Sequence, residues 1–273
     1  MYEHVKILLV GGGKMGSALM AGWLKAGFDA ETMRVVEPSR APRLHLKEDF
    51  GLKVLEHLEE LEKDYVPDVL VLAVKPQAMD EILAAYAKLG WHKTLFLTIA
   101  AGRTIASLKK HLGAKAAVVR AMPNLPATIG QGITVMIGSD INGFQRELAY
   151  TMLKAAGDVI WTDDEGQMDA VTAVSGSGPA YLFHFIEAFT DAAKAAGLDD
   201  EMARKLVEKT VVGSAELLLQ SGAPAHVLRE SVTSPGGTTE AALTTLMDKD
   251  KGLKTPLIEA VLKAKNRARE LSS

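Results

Sequence analysis

Two stretches of this chain carry residue types that can do chemistry, and they lie at opposite ends. Near the C-terminus the order is Val232-Thr233-Ser234-Pro235-Gly236-Gly237-Thr238-Thr239-Glu240-Ala241-Ala242-Leu243. A Ser or Thr cap, a nearby proline and an acid in the first turn are the ingredients of a helix N-terminus. Gly236 and Gly237 let a small ligand approach the backbone closely, and free N–H groups there favour an anion. Ser234, Thr238 and Thr239 add neutral hydrogen bonds. The stretch holds no lysine, arginine or histidine, so a carboxylate would be gripped by dipoles and hydroxyls. The competing reading is an ordinary capped loop.

At the other end, the apolar run 5–10 meets Gly11-Gly12-Gly13-Lys14-Met15-Gly16. A helical pattern of Met15, Leu19, Met20, Trp23 and Leu24 follows and ends near Gly27. Strand, G-x-G-x-x-G and helix in that order seat a pyrophosphate on a helix N-terminus. Gly11 makes the tight turn, Gly13 admits the phosphate and Gly16 lets the helix pack on the strand. A second strand over 33–37 ends in Glu37, where an acidic residue accepts the ribose 2′-hydroxyl of NAD and repels a 2′-phosphate. Ser39, Arg40 and Arg43 follow at once and could hold that phosphate. Glu37 facing inward favours NAD; facing away, it favours NADP.

Other reactive side chains say less. Lys75 follows a core strand, where it could lie near the cofactor, act as an acid, or be an exposed strand-end charge. None of the seven histidines pairs with another at metal-ligand spacing, H-E-x-x-H is absent, and no metal is expected. His184, on an apolar helix, reads as structural. Ser175-Gly176-Ser177-Gly178 lacks the central serine of a hydrolase elbow.

The elements that must position these residues alternate at first. Strand runs at 68–74, 94–99 and 116–120 end in Lys75-Pro76-Gln77, Ala101-Gly102 and Met122-Pro123-Asn124. Strands at 132–138 and 158–161 flank a helix over 142–156. Such alternation predicts a doubly wound, mainly parallel sheet of Rossmann type, with ligands at the carboxyl ends of its strands. After Asp163 the strand signals stop, and helices are predicted over 177–197, 200–220, 223–230, 237–247 and 254–271. The chain therefore reads as an α/β dinucleotide-binding domain over 1–163 and an all-helical domain over 164–273. Tyr181, Leu182, Phe185, Ile186 and Phe189 predict a helix buried on most sides. So small a helical domain leaves apolar faces over, which predicts pairing with a second copy.

Composition narrows the class. A formal net charge of -3 on 273 residues argues against nucleic acid or an anionic membrane as main partner. No apolar run approaches the roughly 20 residues that span a bilayer. The start, Met1-Tyr2-Glu3-His4-Val5-Lys6, runs straight into a strand, so no leader peptide is expected. Absent cysteine rules out disulfides and thiolate chemistry and fits a reducing compartment, so a cytoplasmic protein is expected.

With these residues in hand, the chain resembles the pyrroline-5-carboxylate reductases nearly end to end. The resemblance rests on the glycine motif, Ala73-Val74-Lys75-Pro76-Gln77, Ala100-Ala101-Gly102, and Arg120-Ala121-Met122-Pro123-Asn124 with Pro126, Gly130 and Gly132. It rests also on Asp169-Ala170-Val171-Thr172-Ala173-Val174-Ser175-Gly176-Ser177-Gly178-Pro179-Ala180-Tyr181 and on the 232–243 stretch. The resemblance implies reduction of the cyclic imine 1-pyrroline-5-carboxylate to proline by NADPH or NADH. It implies a homodimer joined through the helical domains, in some members assembled further as a pentamer of dimers. Carried over by motif, Ser234 and the N–H groups of Gly237 and Thr238 hold the substrate carboxylate, and Thr239 hydrogen-bonds the ring nitrogen. Gly11, Gly13, Lys14, Met15 and Gly16 carry the pyrophosphate, while Val74, Lys75, Pro76, Ala100, Ala101 and Asn124 border the nicotinamide. In the family the substrate loop meets the cofactor at the subunit interface.

Two departures stand out. Many relatives carry an asparagine shortly after the glycine matching Gly51, against the adenosine ribose, where this chain has Glu56-His57-Leu58-Glu59. Glu37-Pro38 replaces a loop that offers Arg or Asn, so the NADPH preference common in the family does not carry over. A β-hydroxyacid dehydrogenase shares the two-part plan but needs a catalytic helical lysine, and Lys194, Lys205 and Lys209 lack its glycine-rich frame. A cofactor sensor without catalysis would not need the Ser/Thr/Gly stretch intact.

Overall fold

A computed structural model of the chain describes residues 2 and 4–272. Met1 and Glu3, on which the expectation of no leader peptide partly rests, lie outside the described residues. The chain forms two compact units, one running to Ser177 and including the residues from Ala264 on, the other Gly178–Lys263.

The first unit is built on β1 (Ile7–Val10), α1 (Lys14–Lys25), β2 (Met33–Val36), α2 (Arg40–Phe50), β3 (Lys53–Leu55) and β4 (Val69–Leu72). It continues with α3 (Met79–Ala87), β5 (Leu95–Thr98), α4 (Ile105–Leu112), β6 (Val118–Met122), β7 (Gly132–Ser139), α5 (Gly143–Lys154), β8 (Gly157–Trp161) and α6 (Met168–Val171). The strands form one sheet in the order β3-β2-β1-β4-β5-β6-β7-β8. Every pairing is parallel except β6 with β7.

Why these segments are strands follows from their composition. β1 and β4 read Ile-Leu-Leu-Val and Val-Leu-Val-Leu, and every residue is buried. Continuous β-branched and leucine runs suit strands covered on both faces. Alternate side chains serve opposite layers. Ile7, Leu9, Val69 and Val71 pack with Leu19, Met20 and Trp23 of α1 and Leu148 and Met152 of α5. Leu8, Val10, Leu70 and Leu72 pack with Met79 and Leu83 of α3 and Leu108 of α4. Each such side chain contributes on the order of 1.5–3 kcal/mol. The indole N–H of Trp23 donates to the Met152 carbonyl at 2.8 Å, so burial leaves no donor wasted.

The sheet grows in one direction from β1 to β3 and in the other from β4 onward. The carboxyl ends of β1 and β4 therefore flank a topological switch point, where ligands of such sheets bind. β3 and α2 were not among the sequence-based elements. β3 has three residues at the sheet edge, and α2 has one fully enclosed side chain, Leu46, so neither leaves a strong periodic signal.

The second unit holds α7 (Gly178–Ala195), α8 (Asp200–Ser221), α9 (Ala225–Ser231) and α10 (Thr238–Leu246), and in it α11 (Lys254–Ser272) begins. The Asp199 carboxylate caps α8 by accepting from the Met202 N–H, and Gly222 ends it in the left-handed conformation. α7 and α8 pack against each other. The expectation that α7 is buried on most sides is corrected here. Within one chain it has no buried residue, and Leu182, Phe183, Phe185 and Phe189 are exposed. Its apolar breadth is real, but within one chain much of it is left uncovered.

Candidate active-site residues

The dinucleotide features begin at the end of β1. Gly11 has φ of +99°, and a Cβ there would stand 2.5 Å from the Ala73 carbonyl oxygen. A Cβ on Gly16 would stand 2.2 Å from the Gly11 carbonyl oxygen, so α1 sits directly on the turn. Gly13 differs. Its Cβ would meet nothing within 4 Å. Gly13 is the N-cap of α1, with no side-chain cap and no acid in the first turn. The exposed N–H end of α1, unobstructed at Gly13, fits the pyrophosphate of a dinucleotide. Lys14 is exposed beside it and Met15 half-buried.

Glu37 faces inward. It is only 6% exposed. One carboxylate oxygen accepts from the Gly12 N–H at 2.7 Å, the other from the Ser39 N–H at 2.7 Å. Arg43 turns elsewhere: its guanidinium pairs with Glu56 at 2.8 Å and donates to the carbonyls of Glu37 and Pro38. Glu56, in the segment 56–59, thus anchors Arg43. Glu60 ties that segment by accepting from the N–H groups of Glu56 and His57. Arg40 is exposed at the first residue of α2.

At the end of β4, the Ala73 N–H donates to the Val10 carbonyl at 2.8 Å, which lays Ala73 and Val74 against the glycine turn. Lys75 is exposed, and among the described residues no carboxylate pairs with it; Pro76 opens a short 3₁₀ turn. Ala100 is buried and Ala101 half-buried beyond β5. Asn124 follows β6, its side-chain oxygen accepting from the Ile133 N–H at 2.9 Å. Because β1, β4, β5 and β6 are parallel neighbours, all these segments emerge at one edge of the sheet.

One support went unread in the sequence. Arg120, 3% exposed, donates to Glu165 at 2.9 Å. The same carboxylate oxygen accepts from the Ile105 N–H at 2.8 Å, bracing α4 against the end of β6. An arginine within the apolar run Val-Val-Arg-Ala-Met was the available signal, since a buried guanidinium must be paired.

The 232–243 stretch lies wholly in the second unit. Ser234-Pro235-Gly236-Gly237 is a turn closed by the Gly237 N–H to the Ser234 carbonyl at 3.0 Å. Pro follows the first residue and Gly236 takes φ of +72°, the type II pattern. Gly237 caps α10, whose first N–H groups receive no side-chain cap. A Cβ on Gly237 would stand 2.5 Å from the Ser234 hydroxyl oxygen, so that hydroxyl lies against the helix start. Ser234 and Thr238 are exposed and Thr239 half-buried. Two donors are already engaged. The Gly237 N–H serves the turn, and the Gly236 N–H donates to Glu240 at 2.7 Å. The Gly237 N–H expected for a carboxylate serves the turn in this structure, and the Thr238 N–H stands at the start of α10.

His184 is exposed and faces Glu187 at 3.2 Å. Lys194 pairs with Asp191 and Asp200, and the hydrogen bond it donates to Asp191 raises its pKa. That is the setting of a surface charge, not of a lysine poised to transfer a proton. Among the described residues no cluster of three or more His, Asp or Glu could hold a metal ion. No helix among them is long and apolar enough to cross a membrane.

Comparison with known proteins bears on these features. A family model described as pyrroline-5-carboxylate reductase dimerisation matches residues 165–271. A second, described as NADP oxidoreductase coenzyme F420-dependent, matches residues 6–102. A pyrroline-5-carboxylate reductase of Pseudomonas aeruginosa is 39% identical over 98% of this chain and 97% of its own length. The structure of such a reductase from Coxiella burnetii superposes with a TM-score of 0.91 at 35% identity, covering 99% of each chain. That of a Plasmodium falciparum pyrroline carboxylate reductase with NADP bound gives 0.86 at 29% identity, covering 100% of each.

Proposed function

This chain belongs to the pyrroline-5-carboxylate reductase family, and on that premise we propose that it reduces 1-pyrroline-5-carboxylate to L-proline at the expense of NADPH or NADH, the last step of proline biosynthesis. The observation that carries the reading is the start of α10, an uncapped row of N–H groups with the Ser234 hydroxyl laid against it. Such an end attracts a carboxylate without a cationic side chain.

The dinucleotide, when bound, supplies the hydride. The chain's residues bind and orient. Gly13, Lys14 and Met15 hold the pyrophosphate at the start of α1, with Gly11 and Gly16 shaping the turn. Val74, Lys75 and Pro76, with Ala100, Ala101 and Asn124, border the nicotinamide. The Ser234 hydroxyl and the Thr238 N–H hold the substrate carboxylate, and Gly236 and Gly237 set the turn that places them. The Thr239 hydroxyl hydrogen-bonds the ring nitrogen. A cyclic imine is basic enough to be substantially protonated near neutrality, so it arrives as an electrophile. Alignment and a neutral hydrogen-bonding group then matter more than a strong acid. Lys75, cationic and exposed, is the residue at hand to favour electron-rich groups near the nicotinamide.

The helical unit pairs with that of a second copy. The uncovered apolar side of α7 and the dimerisation match over 165–271 support a homodimer. A pentamer of such dimers and a cytoplasmic location complete the reading, the latter supported by a chain without cysteine.

Loss of nicotinamide absorbance on adding pyrroline-5-carboxylate tests the activity, with proline or thioproline run in reverse at high pH as a second arm. Turnover is expected in both directions. A purified dimer that binds the dinucleotide yet turns over neither substrate would leave a cofactor sensor as the better description.

A further inference from the structure

We infer that Glu37 makes this chain selective for NADH over NADPH. The inference rests on the dinucleotide crevice of the family reading and on nothing about the imine. Glu37 ends β2 beside the glycine turn, where an acidic side chain accepts the adenosine ribose hydroxyls. The structure commits the side chain to that place in three ways. It is buried at 6% exposure. One oxygen is fixed by the Gly12 N–H, inside the glycine motif itself, at 2.7 Å. The other is fixed by the Ser39 N–H, at the N-cap of α2, also at 2.7 Å. The N–H end of α2, which would otherwise attract a 2′-phosphate, thus already holds an anion belonging to the protein.

A carboxylate oxygen accepting one N–H keeps a second lone pair, so ribose hydroxyls can still donate to it. A 2′-phosphate has no proton to offer and brings like charge against a group that cannot swing away. The discrimination is therefore repulsive as well as attractive. The cations that could offset it are poorly disposed. Arg43 is spent on Glu56 and two backbone carbonyls. Arg40 remains, exposed and solvated at the start of α2. A screened surface cation does not outweigh a buried carboxylate at closer quarters.

Equilibrium titration of the full-length protein with NADH and with NADPH, followed by nicotinamide fluorescence and without any pyrroline carboxylate, tests the inference. NADH is expected to bind at least about tenfold more tightly, the scale of one like-charge contact at partial exposure. ADP-ribose should compete better than its 2′-phosphorylated form by a similar factor. Glu37→Ser should bring the NADH/NADPH ratio of dissociation constants to parity or reverse it. Glu37→Gln, which keeps the shape and one acceptor oxygen, should move it in the same direction and guards against misfolding of the first variant. Equal or tighter binding of NADPH by the wild-type protein, or an unmoved ratio in a folded variant, overturns it. Selective NADH binding without reduction of pyrroline-5-carboxylate would sink the reductase reading and leave this one standing.

Discussion

The glycines of the N-terminal motif make a sharp test because the structure gives two of them opposite surroundings. At Gly16 an added Cβ would lie 2.2 Å from the Gly11 carbonyl oxygen and 3.2 Å from its carbon. Both partners are backbone, so relief requires α1 to move away from the turn by about 1 Å, an overpacking cost of roughly 1–3 kcal/mol. Alanine's better helix propensity returns up to about 1 kcal/mol. Gly16→Ala should therefore lose about 1–2 kcal/mol of stability and weaken dinucleotide binding with it. At Gly13 the Cβ would meet nothing within 4 Å, and the backbone is extended, a conformation alanine adopts. Reduced unfolded-chain entropy gains about 0.4–1 kcal/mol, a poorer N-cap loses a similar amount, and the net should fall within about 0.5 kcal/mol of zero. Yet the methyl would stand where the phosphate must approach, and NADH should bind at least about tenfold more weakly, a loss of about 1.4 kcal/mol. Urea unfolding paired with fluorescence titration separates the two quantities. A Gly13→Ala protein with wild-type affinity would refute a pyrophosphate at the start of α1. A Gly16→Ala protein of full stability would refute the close packing of helix on turn.

The remaining predictions concern the start of α10 with the turn before it, and one surface charge network. Thr239→Ala should lower kcat by about 10²-fold, the low end of acid–base effects, and unchanged steady-state kinetics would remove its hydroxyl from the mechanism. Ser234→Ala should raise KM for pyrroline-5-carboxylate with little change in kcat, since it removes a contact made equally in ground and transition states; an unaltered KM would argue against its carboxylate role. Hydrogen bonds from Arg34 and then Lys53 hold the Glu62 carboxyl at about 2, down from 4.5. A lowered folded-state value stabilises above the unfolded value and is lost as pH falls through the folded one, so this contribution fades between about pH 4.5 and pH 2. The three side chains are partly exposed to solvent, which limits the contribution to about 1 kcal/mol. Glu62→Gln should lower stability at pH 7 by that amount and flatten the acid limb between those pH values, as urea unfolding across pH would register; an identical acid limb would show the network to be inert.

How far the sequence could be read depends on how local the determining physics is. The β1–turn–α1 unit was legible because a buried strand, three glycines at set spacing and a 3.6-residue apolar period lie within about twenty consecutive residues. Glu37 was legible in place but not in orientation, because its direction is set by the N–H groups of Gly12 and Ser39. The brace of Arg120 on Glu165 spans separate elements and leaves no periodic trace. The breadth of α7's apolar surface said that something must cover it, but hydrophobic periodicity cannot tell a neighbouring helix of the same chain from one of a second copy.

The 232–243 stretch shows the same limit inside a single motif. Ser-Pro-Gly-Gly specifies a type II turn, and such a turn is closed by the N–H of its fourth residue. That N–H belongs to Gly237, so the feature that shapes the loop also removes one of its donors. Glu240 removes a second, at Gly236. What remains for a carboxylate is the first turn of α10 and the hydroxyls of Ser234 and Thr238, all neutral. Neutral donors at a half-exposed helix end contribute about 0.5–1.5 kcal/mol each, less than a charged pair would. Binding of a small anion there is a sum of modest terms, and losing any one should show in KM. A cup with a buried arginine would be dominated by that one contact and indifferent to Ser234, so the sensitivity of KM to a single hydroxyl is the signature of a site held by dipoles.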